Sequence, residues 1–417
     1  MARTLDVYLH HQLVGHLTQD DGGQMSFEYA ASLLENKGAL PLSRSLPLRK
    51  EGFPRKECAG FFGGILPEEN PRKLVAKNLH ISEKKNDFAM LEQIGGECAG
   101  AVIFMPAGKA LPEREDRYRD LSAKELADML RSLPKRPLLA GEQEVRLSLA
   151  GAQDKVAVKV TGDTISIPLG EALSTHILKP ANDDYAGLVF TEFLCLELAR
   201  AVGLPAAKAE TRNIDGIDFL LVERYDRVLV KSEGAEHYER LHQEDFCQAL
   251  GVVSEWKYQK EGGPSLKQCF ALLRELSTAP VLDLQHLLDA VIFNYLIGNY
   301  DAHGKNFSVV YRTPAGYAAR FSPLYDLVCT EYYPEVSKDM AMKIGGEDLS
   351  EKIFPQQFEK LAEEAGLAKP LVKRRVPELA AAVIEALGKI DLKHAPAGHV
   401  AKIIQQRSRQ ALARFAG

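Results

Sequence analysis

The chain is short of several things, and each scarcity closes off a class of function. Its six cysteines (58, 98, 195, 247, 269 and 329) are scattered with no Cys-x-x-Cys pair, so neither a disulfide framework nor a thiolate zinc site is expected. No apolar run reaches the roughly 18 residues of a membrane span, and the opening Met-Ala-Arg-Thr-Leu-Asp has no apolar signal core. The expectation is a cytoplasmic protein that does not touch membranes. There is no internal repeat and no low-complexity stretch. No Gly-x-Gly-x-x-Gly and no Val-Ala-Ile-Lys occurs anywhere, which excludes an ordinary eukaryotic-type protein kinase. His10, His11 and His16 are the one histidine cluster, and without an acidic or thiol co-ligand they are not expected to hold a metal.

Positive charge is also scarce: the formal net charge is −5, which argues against a free-standing nucleic-acid binder, because phosphate neutralisation supplies most of that affinity. The distribution is uneven. From Lys369 to Gly417, ten Lys and Arg face three acids, either a solvated basic face or a patch for an acidic partner or for DNA carried by a partner. What the chain does have is size, with 417 residues, 46% apolar and 26% charged, enough for two or three globular domains.

The most informative stretch is Asp301-Ala-His-Gly-Lys-Asn306, followed by Pro323-Leu-Tyr-Asp326. Phosphoryl transfer needs a carboxylate to take the proton of the attacking hydroxyl, an amide oxygen on one Mg²⁺ and a second carboxylate on the metal. Asp301, Asn306 and Asp326 fit those roles in that order. An isolated Asp-x4-Asn is ordinarily a capping loop, but the context is specific. Leu287, Leu288, Val291, Ile292, Tyr295 and Leu296 predict a buried helix to about Gly298. Phe307–Tyr311 and Tyr317–Phe321, separated by Thr313-Pro-Ala-Gly316, predict a hairpin between the loop and the metal carboxylate.

Upstream, residues 1–105 mix short strands (Leu5–Leu9, Leu13–Leu17, Ala101–Phe104) with a helix near Phe88–Ile94, an α+β module. Residues 106–227 read as a connector helix at about 122–133, then strands at Val156–Val160, Thr164–Ile167 and Thr175–Leu178. A helix from Tyr185 to Val202 and a hairpin turning at Asp215-Gly216 follow. Residues 228–417 read as helical. A mostly antiparallel sheet with one helix followed by many helices predicts an α+β, bilobal kinase-like fold with an all-helical C-terminal lobe.

Three further elements suit a nucleotide. Ala150, Gly151, Ala152, Gln153, Asp154 and Lys155 form a small-residue loop between strands that would let N–H groups approach phosphate, or else a plain tight turn. Lys179 at a strand end and Glu192 in the next helix match a phosphate Lys held by a helix Glu, or else two solvated surface charges. Glu223, Arg224 and Tyr225 end the last strand before the helices, where a hinge would offer backbone to adenine, although such clusters are usually solvated.

Taken together, Ser148-Leu-Ala-Gly-Ala-Gln-Asp-Lys155, Thr175-His-Ile-Leu-Lys179, Val222-Glu-Arg-Tyr-Asp226, His242-Gln-Glu-Asp-Phe-Cys247, Gly262-Gly-Pro264 and the two loops above resemble the motif set of the HipA family, serine/threonine kinase toxins of HipBA toxin–antitoxin systems. Leu13-Val-Gly-His-Leu17, Ser45-Leu-Pro-Leu48, Phe61-Phe-Gly-Gly-Ile-Leu-Pro67 and Ile94-Gly-Gly-Glu-Cys-Ala-Gly-Ala101 extend the resemblance over nearly the whole chain. Asp154 stands where Glu is common, and Ala302-His-Gly304 where Gly-His-Ala is. The resemblance implies ATP and Mg²⁺ as cofactors and Asp301 as the base. Ala150 to Lys155, Lys179, Glu223 to Tyr225, His303, Lys305, Asn306, Tyr325 and Asp326 would contact nucleotide, with Asn306 and Asp326 on the metal. It also implies autophosphorylation at Ser148, with Arg146, Lys155 and Lys179 as candidate counter-charges. The implied partners are a HipB-like helix-turn-helix antitoxin, DNA only through it, and a protein substrate such as an aminoacyl-tRNA synthetase, whose modification causes growth arrest and persistence. A kinase-fold co-repressor scaffold and a small-molecule kinase are the alternatives.

Overall fold

In a computed structural model of the protein, residues 2–82, 86–109, 111, 115–182, 184–232, 235–312, 318–390, 392 and 394–415 are described. The chain divides into two compact units. The first comprises Met1–Pro180, Arg212–Ser254 and Val310–Tyr317; the second comprises Ala181–Thr211, Glu255–Val309 and Ala318–Gly417. Among the described residues no helix is long and apolar enough to cross a membrane.

The first unit holds two large sheets and a two-stranded one. Arg3–Leu9, Gln12–Gln19 and Met25–Tyr29 form an antiparallel meander, with Val102–Pro106 paired to the outer side of Arg3–Leu9. Met25–Tyr29 reads buried and exposed in strict alternation, the period-2 signature of a strand with one face in the core. Helices Arg55–Gly64, Glu69–Asn78 and Asp87–Ile94 accompany this sheet. The second sheet has six strands, in the order Ala209–Ile214, Ile217–Glu223, His176–Pro180, Val156–Thr161, Thr164–Leu169, Arg117–Asp120. Ser122 opens the connector helix Ala123–Ser132 with a reciprocal capping box to Glu125, as the Ser-x-x-Glu spacing directs.

The core is continuous across residue 105. One buried apolar cluster runs from Leu5, Phe27 and Phe62 through Phe104 to Leu130, Val156 and Leu221. Each buried Phe contributes about 2–3 kcal/mol. Arg227–Ser232 and Ala235–Arg240 pair as an antiparallel hairpin that belongs to the first unit.

The second unit is built mainly of helices: Leu188–Ala201, Leu266–Leu276, Pro280–Ile297, Pro355–Ala365, Lys369–Leu387 and Ala395–Phe415. The expectation of helices alone is corrected by Asp339–Ile344 and Glu347–Leu349, an antiparallel pair turned by Gly345 and Gly346. The hairpin after Asn306 is present as strands Ser308–Arg312 and Ala318–Phe321, tied where Ser322 N donates to Ser308 O; its expected turn at 313–316 lies outside the described residues. Most of the C-terminal basic charge is spent internally. Lys369, Lys373, Arg374, Arg375, Lys389 and Arg407 pair with Glu363, Glu359, Glu378, Asp289, Glu385 and Glu331 respectively.

Candidate active site

In the second unit, helix Pro280–Ile297 is buried along nearly its whole length and stops at Gly298, whose φ of +70° closes it. The chain then turns directly into the Asp301 loop. Asn299 anchors the turn, donating to Asn294 Oδ1 at 2.7 Å and accepting from Asp301 N at 3.2 Å. Thr330 binds both sides of it, accepting from Tyr300 N at 2.8 Å and donating to Gly298 O at 3.1 Å. Arg407 reinforces the same place through Glu331, Tyr300 OH and Tyr295 O.

Asp301, His303, Lys305 and Asn306 lie on one loop, and Tyr325 and Asp326 on a second that is hydrogen-bonded to it. Asn306 accepts from His303 N at 3.0 Å and donates to Asp326 Oδ2 at 3.1 Å. Tyr325 spans the two loops, its hydroxyl donating to Lys305 O at 2.8 Å and meeting Ser308 Oγ at 2.6 Å. Asp326 holds a left-handed backbone at φ +56°, a strained conformation that is kept where surrounding bonds over-determine it. The 3.1 Å contact is a hydrogen bond from the Asn306 amide nitrogen, which brings the carboxamide and the Asp326 carboxylate together; the carboxamide oxygen, the atom a hard cation would take, accepts from His303 N. Among the described residues no three His, Cys, Asp or Glu side chains are set to hold a metal by themselves.

The first unit carries the nucleotide-type elements. Gly151 sits at φ +103°, and a Cβ there would fall 2.7 Å from Lys155 Nζ, so only glycine fits. Lys155 closes the loop by donating to Ala150 O at 2.6 Å. From behind, Glu68 N donates to Gly151 O at 3.1 Å, and Ser148, fully buried, donates from N to Glu97 O and from Oγ to Ile65 O, both at 3.0 Å. Arg146 is not the counter-charge its position suggested. Its guanidinium is engaged by the carbonyls of Glu92, Gln93 and Phe104. Lys179 and Glu192 are not solvated surface charges: each is buried, Lys179 within strand His176–Pro180 of the first unit and Glu192 within helix Leu188–Ala201 of the second.

At the strand end Glu223–Tyr225, read from the sequence as a hinge with a solvated charge cluster as the alternative, Arg224 is not solvated. Arg224 is fully buried; it grips Asp226 at 2.8 and 2.9 Å, Glu97 at 3.2 Å, Ser174 Oγ at 2.9 Å and Cys98 O at 3.0 Å. Its side chain thus holds the segment in place. Arg227 and Arg240 add contacts to Glu97 at 3.0 and 2.8 Å, and Gly100 N donates to Asp226 at 2.7 Å. Burial alone would raise the Glu97 carboxyl, but the guanidiniums of Arg227, Arg240 and Arg224 outweigh it and hold it at about 2. Glu97 was not singled out in the sequence. Its signal was a lone acid within Ile94-Gly-Gly-Glu-Cys-Ala-Gly-Ala101, an apolar run in which a charge must be paired.

The chain matches two family models, the HipA N-terminal domain over residues 5–105 and the HipA-like C-terminal domain over residues 147–387. It is 43% identical over 393 residues to the Sinorhizobium fredii protein Y4mE, covering 93% of this chain and 92% of that one. It is 30% identical over 406 residues to the serine/threonine-protein kinase toxin HipA of Shewanella oneidensis, covering 93% and 91%. A solved Shewanella oneidensis complex of HipA, HipB and operator DNA contains a chain that superposes with a TM-score of 0.85 at 28% identity over 99% of this chain and 98% of that one. With the sheet and helix content above, that likeness gives the α+β, bilobal protein-kinase-like fold. Matched at both ends and in its fold, this chain belongs to the HipA family of serine/threonine kinase toxins.

Proposed function

We propose that the protein transfers the γ-phosphoryl group of ATP to a serine or threonine hydroxyl of a protein, with Asp301 as the base. The observation that carries this reading is the clustering of Asp301, Asn306 and Asp326 in one braced loop pair, with Asn306 and Asp326 3.1 Å apart. Asp301 orients the acceptor hydroxyl and takes its proton as the new P–O bond forms and the bond to the leaving diphosphate breaks. Asn306 and Asp326 would hold Mg²⁺, which when bound neutralises charge on the phosphate oxygens. In the first unit, the Ala150–Lys155 loop and Lys179 serve the phosphates, and the Glu223–Tyr225 main chain serves the adenine.

The toxin reading extends this to a HipB-like helix-turn-helix antitoxin as partner, DNA reached only through it, and a cytoplasmic translation component such as an aminoacyl-tRNA synthetase as substrate, whose modification arrests growth. Ser148 is the autophosphorylation site in this reading. Because Ser148 is fully buried and bonded to Ile65 and Glu97, a phosphate of about −1.5 to −2 charges has no room there. Modification would therefore require the whole Ala150–Lys155 loop to leave its seat, which disables the nucleotide site. The test is a [γ-³²P]ATP assay with Mg²⁺, with and without cell extract, on wild type and Asp301→Asn. Label should enter protein, fall roughly 10²–10⁴-fold in the variant with nucleotide affinity retained, and map to Ser148 by peptide mass spectrometry. Label moving to a small metabolite, or equal transfer by both proteins, refutes the proposal.

A further inference from the structure

We infer that Tyr258 is a positioning residue for phosphoryl transfer, fixing the orientation of the Asp301 carboxylate. The inference rests on the reading of Asp301 as the base. The Tyr258 hydroxyl donates to Asp301 Oδ1 at 2.8 Å, and its ring stands edge-on to His303 at 5.3 Å, with Lys257 Nζ 5.5 Å from the ring centre. A carboxylate turns easily about its last torsion, whose preferences are broad. A donor on one oxygen removes that freedom and sets the direction of the other.

A donor can do this only if it is itself held, and the segment bearing Tyr258 is held within the same unit. Tyr258 O accepts from both Glu261 N and Gly263 N at 2.9 Å, which closes the 258–263 turn. Gly263 lies so near the chain before it that a Cβ would come within 2.3 Å of Trp256 O and 2.7 Å of Lys257 O, so the turn cannot loosen without breaking that fit. The next residues are tied to strand Asp339–Ile344: Lys343 N donates to Gln259 Oε1 at 2.8 Å, and Lys260 pairs with Asp339 at 3.7 Å. The phenol is thus a fixed part of the loop cluster. Its role explains why a Gly-Gly-Pro turn some forty residues before Asp301 belongs to the chemistry.

Tyr258→Phe keeps the ring and removes only the hydroxyl. In the full-length protein with Mg²⁺·ATP and an acceptor protein, kcat should fall roughly 10–100-fold, the range that misplacement of a catalytic group costs. KM for ATP, nucleotide affinity measured by calorimetry, and the melting temperature should stay at wild-type values. A purely structural role would not produce that split. The second measurement is a double-mutant cycle: with Asp301 already changed to Asn, Tyr258→Phe should cause no further loss, whereas an additive loss overturns the inference. If wild type transfers phosphate and Asp301→Asn does not, but Tyr258→Phe equals wild type, this inference alone falls. If wild type transfers none, the reading of Asp301 falls and takes this with it.

Discussion

Replacing Glu97 with Gln tests how the Glu223–Tyr225 segment is held. In the wild type, two buried carboxylates, Glu97 and Asp226, face three buried guanidiniums, Arg224, Arg227 and Arg240. Glu97→Gln keeps the shape and removes one of the two negative charges, so the excess positive charge in the same dry volume doubles. Breaking a buried pair in this way costs about 3–5 kcal/mol. For a unit of this size, with about 2–4 °C per kcal/mol, the melting temperature should fall by about 6–20 °C.

The pH dependence gives an independent figure. The Glu97 carboxyl stands at about 2 against an ordinary 4.5. A depressed carboxyl binds its proton more weakly in the folded chain than in the unfolded one. Its contribution is therefore complete above about pH 4.5 and is lost as pH falls toward 2. At 1.36 kcal/mol per pKa unit it amounts to roughly 3 kcal/mol, in line with the mutational estimate. Calorimetric melting from pH 7 down to pH 3 should show wild type losing stability on the acid side, with Glu97→Gln destabilised at neutral pH and less steep below pH 4.5. A destabilisation under about 1 kcal/mol, or parallel acid limbs, would refute the argument. The KM for ATP should rise in the variant, because the strand end loses its anchor.

Two further outcomes follow from the site geometry. Asp326→Ala removes the carboxylate proposed to hold Mg²⁺, so nucleotide affinity should lose its dependence on the ion; titrations with and without it check this, and an unchanged metal dependence would count against the assignment. Gly151→Ala forces a Cβ into a left-handed position that costs about 1–2 kcal/mol and against Lys155 Nζ, so nucleotide affinity should fall several-fold in calorimetry and the melting temperature by about 2–8 °C; unaltered affinity would remove this loop from the proposed phosphate site.

What could be read from the sequence was what depends on local periodicity and turn chemistry. The helix Pro280–Ile297 and its stop at Gly298 follow from apolar spacing alone, and the turn at Asp215-Gly216, both at positive φ, from its dipeptide. The Asp301, Asn306 and Asp326 constellation was legible because its spacing is short and its chemistry specific. Helix Arg55–Gly64 was not, since its Gly60, Gly63 and Gly64 argue against a helix and tertiary contact overrides them: a Cβ at Gly60 would strike the Gly251 backbone at 2.5 Å. The roles of Glu97 and Tyr258 depend on contacts across 127 and 43 residues of chain, which no local pattern encodes. The burial of Arg224 and Asp226 was not legible, because solvation is the common fate of such strand-end charges, and only the partner Glu97 from a distant loop makes burial of the Arg224 guanidinium tolerable.

The interleaving of the two units bears on synthesis. The chain passes from one unit to the other five times, and the first unit is completed only by the segment ending at Tyr317. A ribosome adding about 5–20 residues per second therefore exposes residues 1–180 for several seconds before Arg224, Arg227 and Arg240 arrive to neutralise Glu97. A nascent chain cut short before that point would bury an unmatched carboxylate beside an incomplete sheet. Truncated products should thus be targets for proteolysis, and a toxin laid out in this way becomes competent only when nearly its whole message has been read.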